Sequence, residues 1–183
     1  MKVLVLAAGM SNRMKPIGDK NFLEFLGKPL IEHQLEFLKK NGLNEVVVVG
    51  RNTNLEAIRE VGVRVGLELE ICEQSDDKGM CGAVLAAKEY IAGGEVLIFC
   101  SNDVVEDSAL ELVMKGEADG FILGKKVENY FPGGYLEVED GLIKNIIEKP
   151  GAGNEPSDLV NLVVHRHCSA DRLIEALEKV SSD

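Results

Sequence analysis

The segment KVLVLAAGM occupies residues 2–10 and decides the fold of this 183-residue chain. Residues 2–6 are a β-branched and leucine run, which is typical of a strand that is buried on both faces. The run ends abruptly in Ala7-Ala8-Gly9, where small residues indicate a loop. We therefore predict a buried, central strand over residues 2–6 that leads directly into a loop of small residues.

Strand and helix patterns alternate after this loop. Further strands are predicted near 45–50, 68–72 and 96–100. Helices are predicted between them: one begins at Pro29 and stops at Gly42, and two more lie near 54–61 and 80–91. Alternation of this kind implies a mostly parallel sheet that is covered by helices on both faces.

The pattern changes to shorter strands from Gly120 onward. Strands near 135–138 and 142–147 flank Asp140-Gly141, a pair that favours a tight turn, so they predict an antiparallel hairpin. A last strand at 159–164 and a helix capped by Ser169 close the chain. The predicted fold class is α/β: a three-layer, Rossmann-like sandwich with a mostly parallel central sheet and an added antiparallel hairpin, in one domain over residues 1–183.

Composition narrows the range of partners. The net charge of −11 opposes non-specific binding to nucleic acid or anionic lipid, because those polyanions are held mainly by lysine and arginine. The sequence has neither a run of about 18 apolar residues nor a signal-peptide pattern, so we expect a cytoplasmic protein without a membrane partner. The four cysteines lie in different predicted elements, which favours reduced, buried thiols.

The loop after the first strand is the most informative segment. Main-chain N–H groups of small residues can approach a flat base or a phosphate, and Arg13, Lys15 and Lys20 add cations nearby. Neither the G-x-G-x-x-G pattern nor the P-loop pattern is present. The residues alone leave open a turn whose small side chains serve only packing. The position favours a ligand, since open α/β sheets bind ligands beyond the carboxyl ends of their strands.

The N-terminal segment resembles that of a known family. L-A-A-G-x-x-x-R-M-x-P over residues 6–16, Lys20, and G-K-P-L-I over residues 27–31 are similar to the signature of the sugar-phosphate nucleotidyltransferases. The resemblance implies that Leu6, Ala7, Ala8 and Gly9 lie against the nucleotide, with Ala8 and Gly9 touching the base through their backbone. Arg13 would then bind the triphosphate, and Lys20 would reach the reacting phosphates.

Two later segments keep the order of that family. Gln74, with Gly79 five residues on, resembles the region that reads the nucleobase through a side-chain amide and backbone groups. Asp103 resembles the aspartate that holds Mg²⁺, an ion that prefers hard oxygen ligands. Asn102 precedes it in place of the usual glycine and is a candidate for ribose or metal contacts. Each residue also has a structural reading, as part of a polar loop or as a helix cap.

A third segment resembles the sugar-phosphate side of the family's site. Glu148-Lys149-Pro150, preceded by Gly134 in the hairpin, is similar to the family's Glu-Lys-Pro motif. By that resemblance Lys149 would pair with the acceptor phosphate, and Glu148 and Asn161 would bind sugar hydroxyls.

The sequence departs from the family pattern after residue 161. V-H-R-H-C over residues 164–168 stands where many members carry a second magnesium aspartate, and the nearest acid is Asp171. His165 and His167 share one face of the predicted strand and could bind a metal or phosphate, although two ligands without a third favour a structural role. Family members also commonly run beyond this length.

The predicted function is transfer of a nucleoside monophosphate from a nucleoside triphosphate to a sugar 1-phosphate, with release of pyrophosphate. Alternatives are a cytidylyltransferase for phosphocholine or a related phospho-alcohol, and a non-catalytic nucleotide-sugar binding or regulatory homologue. A molybdenum-cofactor nucleotidyltransferase would share the opening loop but is not expected to carry the Glu-Lys-Pro segment. The sequence leaves open the base, the sugar and the oligomeric state, a homo-oligomer included.

Overall fold

The computed structural model describes residues 1–11, 18–116 and 118–181. The strands are β1 (Lys2–Leu6), β2 (Glu24–Phe25), β3 (Lys28–Pro29), β4 (Val46–Gly50), β5 (Leu69–Glu73), β6 (Val96–Cys100), β7 (Gly120–Lys126), β8 (Gly134–Glu139), β9 (Leu142–Glu148) and β10 (Leu159–His167). The helices are α1 (Leu30–Lys40), α2 (Leu55–Val65), α3 (Gly79–Ala86), α4 (Lys88–Ile91), α5 (Asp107–Lys115) and α6 (Ala170–Ser181), and a 3-10 turn spans Lys20–Phe22.

One sheet of eight strands organises the molecule. Its order is β5-β4-β1-β6-β10-β8-β9, and β7 pairs with β10. Strands β5, β4, β1 and β6 run parallel, whereas β10 is antiparallel to β6. Strand β1 therefore lies inside the parallel region with a neighbour on each side, as predicted. The short strands β2 and β3 form a separate antiparallel pair.

The sheet is covered on both faces, which confirms the predicted three-layer sandwich. On one face, Val3 and Val5 pack with side chains of α1, α2 and α5. On the other face, Leu4 packs with side chains of α3, α4 and α6. All three residues have no exposed surface. This double burial explains why the sequence of β1 is a nearly continuous apolar run rather than an alternating one.

The added hairpin is also as predicted. Strands β8 and β9 pair antiparallel, and Asp140 and Gly141 at the turn both have positive φ, 51° and 76°. Asp-Gly suits this turn because both residues tolerate the left-handed region better than most.

Several details differ from the sequence prediction, among them α5, β2 and β3, which were not predicted, and α2, which continues past residue 61 to Val65. The helix predicted near 80–91 is two helices, α3 and α4, because the backbone at Ala87 departs from helical geometry (φ −93°, ψ 2°). Strand β7 was not predicted individually. Strand β10 continues to His167 rather than ending at residue 164. Its last residues have polar side chains, but their backbone is paired with β6 and β7.

Two further observations concern the chain as a whole. All four cysteines are free thiols, as predicted, but only Cys72 is buried as expected, whereas Cys81, Cys100 and Cys168 are partly exposed. Every helix within the described residues falls short of the length and apolar character needed to cross a bilayer.

Leu4→Ala should destabilise the fold strongly. The side chain is fully buried in the central strand, so its loss leaves a cavity and should lower the free energy of unfolding by about 2–5 kcal/mol. Urea denaturation measures this difference. Leu112→Ala is the matched control, since Leu112 lies on α5 with 68% of its surface exposed. Equal losses in the two variants would contradict the assignment of β1 to the core.

Candidate functional site

A cavity of about 240 Å³ opens at the carboxyl end of β1. Six of the residues that the sequence predicts for nucleotide binding or catalysis line it: Leu6, Ala8, Gly9, Lys20, Gln74 and Gly79. They come from segments up to 73 positions apart in the chain. The parallel arrangement brings them together, because successive parallel strands end at the same edge of a sheet.

Ala7 lies behind the wall of this cavity. It is 1% exposed, and its N–H donates to the Val49 carbonyl at 2.8 Å. Its carbonyl accepts hydrogen bonds from the side-chain amides of Asn21, at 2.9 Å, and Asn54, at 3.1 Å. Both main-chain polar groups of Ala7 are thus used inside the protein, and they fix the start of the loop over residues 7–11.

Lys20 extends along this loop. Its backbone N–H donates to Ser11 Oγ at 3.0 Å, and Ser11 has a positive φ of 50°. A Cβ atom placed on Gly9 would lie 3.4 Å from Lys20 Cε and 3.8 Å from Nζ. The Lys20 side chain therefore lies alongside Gly9 at the distance of an ordinary van der Waals contact, and Lys20 lines the cavity.

Asp103 lies near Lys20 and Val163, which both line the cavity, but is not itself one of the lining residues. Burial raises the pKa of the Asp103 carboxyl, while the charge of the Lys20 ammonium and a hydrogen bond from the Val163 backbone act in the opposite direction. Val163 itself lines the cavity. The side chain of Asn102 donates a long hydrogen bond of 3.4 Å from Nδ2 to Asp103 Oδ1. A partly buried carboxylate of this kind, next to a cation, is a type of oxygen ligand that divalent ions prefer.

Gln74 forms the opposite wall. The side chain is 4% exposed, and Nε2 donates to Asp76 Oδ1 at 3.0 Å and to the Gly79 carbonyl at 2.9 Å. The same hydrogen bond to Gln74 is the main reason that the pKa of Asp76 is lowered. Gly82 must lack a side chain, because a Cβ there would collide with Asp76 Oδ1 and would lie 2.8 Å from Gln74 Nε2.

The residues predicted for the sugar phosphate form a second cluster. A Cβ atom placed on Gly134 would lie 3.2 Å from Glu148 Oε2 and 3.8 Å from Asn161 Cβ. Lys149 Nζ pairs with Glu148 Oε1 at 2.9 Å, and Lys149 has a positive φ of 47°. Strained backbone of this kind often marks binding sites. Val163 of the cavity lies two residues after Asn161 on β10, roughly 7 Å along the strand, so the two regions adjoin.

The described part of the chain therefore brings nearly all of the predicted residues to one edge of the sheet. Arg13 lies outside the described residues, as do its neighbours from 12 to 17. Sequence reasoning missed Arg51, whose side chain lines the cavity, and the supporting residues Asn21 and Asn54. Arg51 follows the buried strand β4 directly, so the rule that pointed to Asp103 after β6 would also have found it.

Comparison with known proteins agrees with this geometry. The sequence model described as the MobA-like NTP transferase domain matches residues 3–118, which include β1, Lys20, Gln74 and Asp103. The chain belongs to this family.

Two curated relatives illustrate its diversity. The NTP transferase chain is 27% identical to the low-salt glycan biosynthesis nucleotidyltransferase Agl11 of Haloferax volcanii, over 97% of its own length and 52% of that protein. It is 34% identical to a bifunctional sugar-1-phosphate nucleotidylyltransferase/acetyltransferase of Sulfurisphaera tokodaii, over 91% and 40%. The chain thus spans about half the length of these relatives or less.

Solved structures have the same fold. A putative glucose-1-phosphate thymidylyltransferase from Bacillus anthracis superposes with a TM-score of 0.81 at 16% identity, over 99% of this chain and 74% of that one. A UDP-glucose pyrophosphorylase complexed with UDP-glucose gives 0.78 at 20% identity, over 97% and 79%. At these identities the likeness establishes the α/β fold of the NTP transferase chain.

His165 contacts a residue of the second cluster, Asn161, from the interior of the protein. It is 7% exposed, and its Nε2 lies 2.9 Å from Asn161 Oδ1. Its ring and that of His167 are 6.3 Å apart, which confirms that they share one face of β10. Within the described residues, no group of three or more His, Cys, Asp or Glu side chains could hold a metal, so the pair lacks a third ligand of these types. Burial first, and the charge of His167 second, lower the pKa of His165 to about 4.

The protein should therefore lose stability as the pH falls from about 6.5 to about 4. In this window His165 takes up a proton in the unfolded chain but stays neutral in the folded one, so protonation favours unfolding. The shift corresponds to a loss on the order of 3 kcal/mol. Urea denaturation at several pH values measures it, and His165→Gln should flatten the dependence. His167→Gln should flatten the dependence less, since burial lowers the pKa of His167 by a smaller amount than that of His165. An unchanged slope in His165→Gln would contradict the assignment.

Proposed function

We propose that this chain transfers a nucleoside monophosphate from a nucleoside triphosphate to a sugar 1-phosphate, releasing pyrophosphate. The observation that carries the proposal is the convergence of Gly9, Lys20 and Gln74 around one cavity, with Asp103 close to Lys20. The printed names of the relatives, which include sugar-1-phosphate nucleotidylyltransferase and UDP-glucose pyrophosphorylase, agree with it. The cluster of Gly134, Glu148, Lys149 and Asn161 would take the acceptor.

The reaction requires positioning more than proton transfer. A phosphate oxygen of the acceptor forms a bond to the α-phosphorus, and the bond from that phosphorus to the bridging oxygen of pyrophosphate breaks. The acceptor phosphate is already anionic at neutral pH, so no general base is needed. The main task is to bring two polyanions together and to neutralise their charge. Lys20 would do this for the donor and Lys149 for the acceptor, with Arg13 as a further predicted contact for the triphosphate.

Mg²⁺ fits the residues that are present. It commonly binds through one or two carboxylates together with substrate phosphates and water. Burial raises the pKa of Asp103, and a divalent cation would stabilise its ionised form. When bound, the ion would neutralise charge on the phosphate oxygens. Asp103 would hold it, with Asn102 beside it, and the other ligands would come from the substrate and water.

Lys20→Ala and Asp103→Asn should each slow pyrophosphate release by about a hundredfold or more, because each removes a preorganised charge at the reacting phosphates. The assay is continuous detection of pyrophosphate across a panel of triphosphates and acceptors, the latter including glucose 1-phosphate and phosphocholine. Arg13→Ala belongs in the same series. Thermal melting checks that each variant folds.

Matched controls are available on the surface. Lys115→Ala and Asp119→Asn remove the same charges from side chains that are 75% and 86% exposed, and both should keep full activity. Near-wild-type turnover in Lys20→Ala or Asp103→Asn would refute the roles assigned to those residues. Binding of a triphosphate by the wild type, without turnover on any acceptor, would instead support a non-catalytic binding protein.

The orientation of the Gln74 amide also predicts which nucleobases the site would bind. Both partners of its Nε2, a carboxylate and a carbonyl, are acceptors, so the amide nitrogen must face them. Gln74 can therefore offer only Oε1, an acceptor, to a base. At the ring nitrogen of the Watson–Crick edge, uracil, thymine and the larger guanine present an N–H donor, whereas cytosine and adenine present an acceptor there and donate only from the neighbouring amino group.

With Oε1 placed opposite the ring nitrogen, the enzyme should use UTP or dTTP in preference to CTP by about tenfold or more in kcat/KM, since Oε1 accepts from the uracil or thymine N–H but meets another acceptor in cytosine. Steady-state kinetics with each triphosphate measures the ratio. Gln74→Ala should reduce it, and Gly82→Ala should do the same by displacing the Gln74 amide. Higher kcat/KM for CTP than for UTP would rule out this orientation of the amide.

A further inference from the structure

The backbone of Arg51 is fixed by its own contacts, separately from those of the side chain. It is the first residue after β4, and its N–H donates to Asn54 Oδ1 at 2.9 Å. Its carbonyl accepts from the Asn54 N–H, also at 2.9 Å. The preceding Gly50 has no room for a side chain, because a Cβ would lie 2.6 Å from Asn54 Oδ1 and 2.7 Å from Ile58 Cδ1. The turn that carries Arg51 is therefore fixed on both sides.

The Arg51 guanidinium joins two separate loops. Nε donates to the Ala8 carbonyl at 2.7 Å, in the loop after β1. Nη2 donates to the Asp76 carbonyl at 3.2 Å and to Asp77 Oδ1 at 2.8 Å, in the loop after β5. Because the guanidinium is planar and rigid, these contacts fix the distance between the two loops. The side chain is 21% exposed, so the contacts are partly shielded from water.

The second loop is the one that would read the base. Asp76 accepts the hydrogen bond from Gln74 Nε2, and the Gln74 N–H donates to the Gly50 carbonyl at 2.9 Å. Arg51 thus holds the Asp76 backbone, and Asp76 in turn orients the Gln74 amide. Displacement of Arg51 would free the loop over residues 74–79 to move away from Ala8.

Arg51 also controls charge. Asp77 lines the cavity that would receive the triphosphate, and an unpaired carboxylate there would repel it. The ion pair with Arg51 compensates this charge. The side chain therefore has two separable effects, one on loop geometry and one on electrostatics.

We propose that Arg51 is a positioning residue that holds the base-recognition loop against the loop after β1 and thereby sets triphosphate affinity and base discrimination. The proposal rests on the proposed function for the identity of the ligand. It concerns the donor alone, since Arg51 is bonded to the donor-side loops.

Titration calorimetry with UTP and Mg²⁺, followed by steady-state kinetics with the acceptor that gives turnover, tests the proposal. Arg51→Met should raise the Kd and KM for UTP by about tenfold or more, with kcat and the KM for the acceptor within about twofold. It should also reduce the ratio of UTP to CTP affinity. Arg51→Lys should not rescue either property, because an ammonium group cannot span both loops.

Two further variants separate geometry from charge. Asp77→Asn in the Arg51→Met background should recover the part of UTP affinity that is lost to repulsion, but not the discrimination against CTP. Arg59→Met is the matched control: Arg59 lies on α2, pairs with Glu56 and is 57% exposed, so UTP affinity should be unchanged.

Several results would overturn the proposal. These are an unchanged Kd for UTP in Arg51→Met, an equal rise in the KM of the acceptor, or full rescue by Arg51→Lys. Thermal melting with and without UTP distinguishes an unfolded variant from one that has lost affinity. If the wild type binds UTP but turns over no acceptor, the proposed function fails, while the calorimetric comparison still decides the role of Arg51.

Discussion

The carbonyl of Ala7 is the point on which the cleft depends. It lies at the end of the central strand, where regular sheet pairing stops, and a buried carbonyl there needs a partner. The side-chain amides of Asn21 and Asn54 both donate to it. Asn21 Oδ1 also accepts a hydrogen bond from the Ser101 hydroxyl at the end of β6. One main-chain acceptor thus joins the ends of β1 and β6, the 3-10 turn that carries Lys20, and the start of α2.

The placement of charges around this network explains how an acidic chain can provide the proposed site for polyanions. The net charge is −11, so the protein as a whole does not attract phosphate. Locally, Lys20 is held at the bare backbone of Gly9, and Arg51 compensates Asp77. Asp103 remains as a partly buried carboxylate near Lys20, where the proposed Mg²⁺ would offset its charge. Local placement of a few charges therefore outweighs the net charge, because interactions at short range in a shielded cleft are stronger than the screened field of distant groups.

The two halves of the cleft have different origins in the chain. The family match covers residues 3–118, the parallel strands with the proposed nucleotide side. The proposed acceptor side lies beyond it, on the antiparallel hairpin and β10. His165, which stands near the position of a second metal aspartate in the resembling family, instead bonds to Asn161 from within the core. The departure from the family pattern at residues 164–168 thus has a structural role in the described molecule.

The sequence by itself determined the parallel core, because strands buried on both faces must be continuously apolar, as β1, β4 and β6 are. It also identified the small-residue loop, Lys20, Gln74 and Asp103 as candidate site residues, since each follows a recognisable strand or motif. It did not determine the break at Ala87, because Ala and Lys there are good helix formers and nothing local interrupts the helix. It also did not determine β7 or the end of β10, which are strands because β10 pairs with both β7 and β6. Only the tertiary structure brought Arg51 to Ala8 and Asp77. These contacts join residues 43 and 26 positions apart, and their geometry depends on how neighbouring parallel strands place their loops.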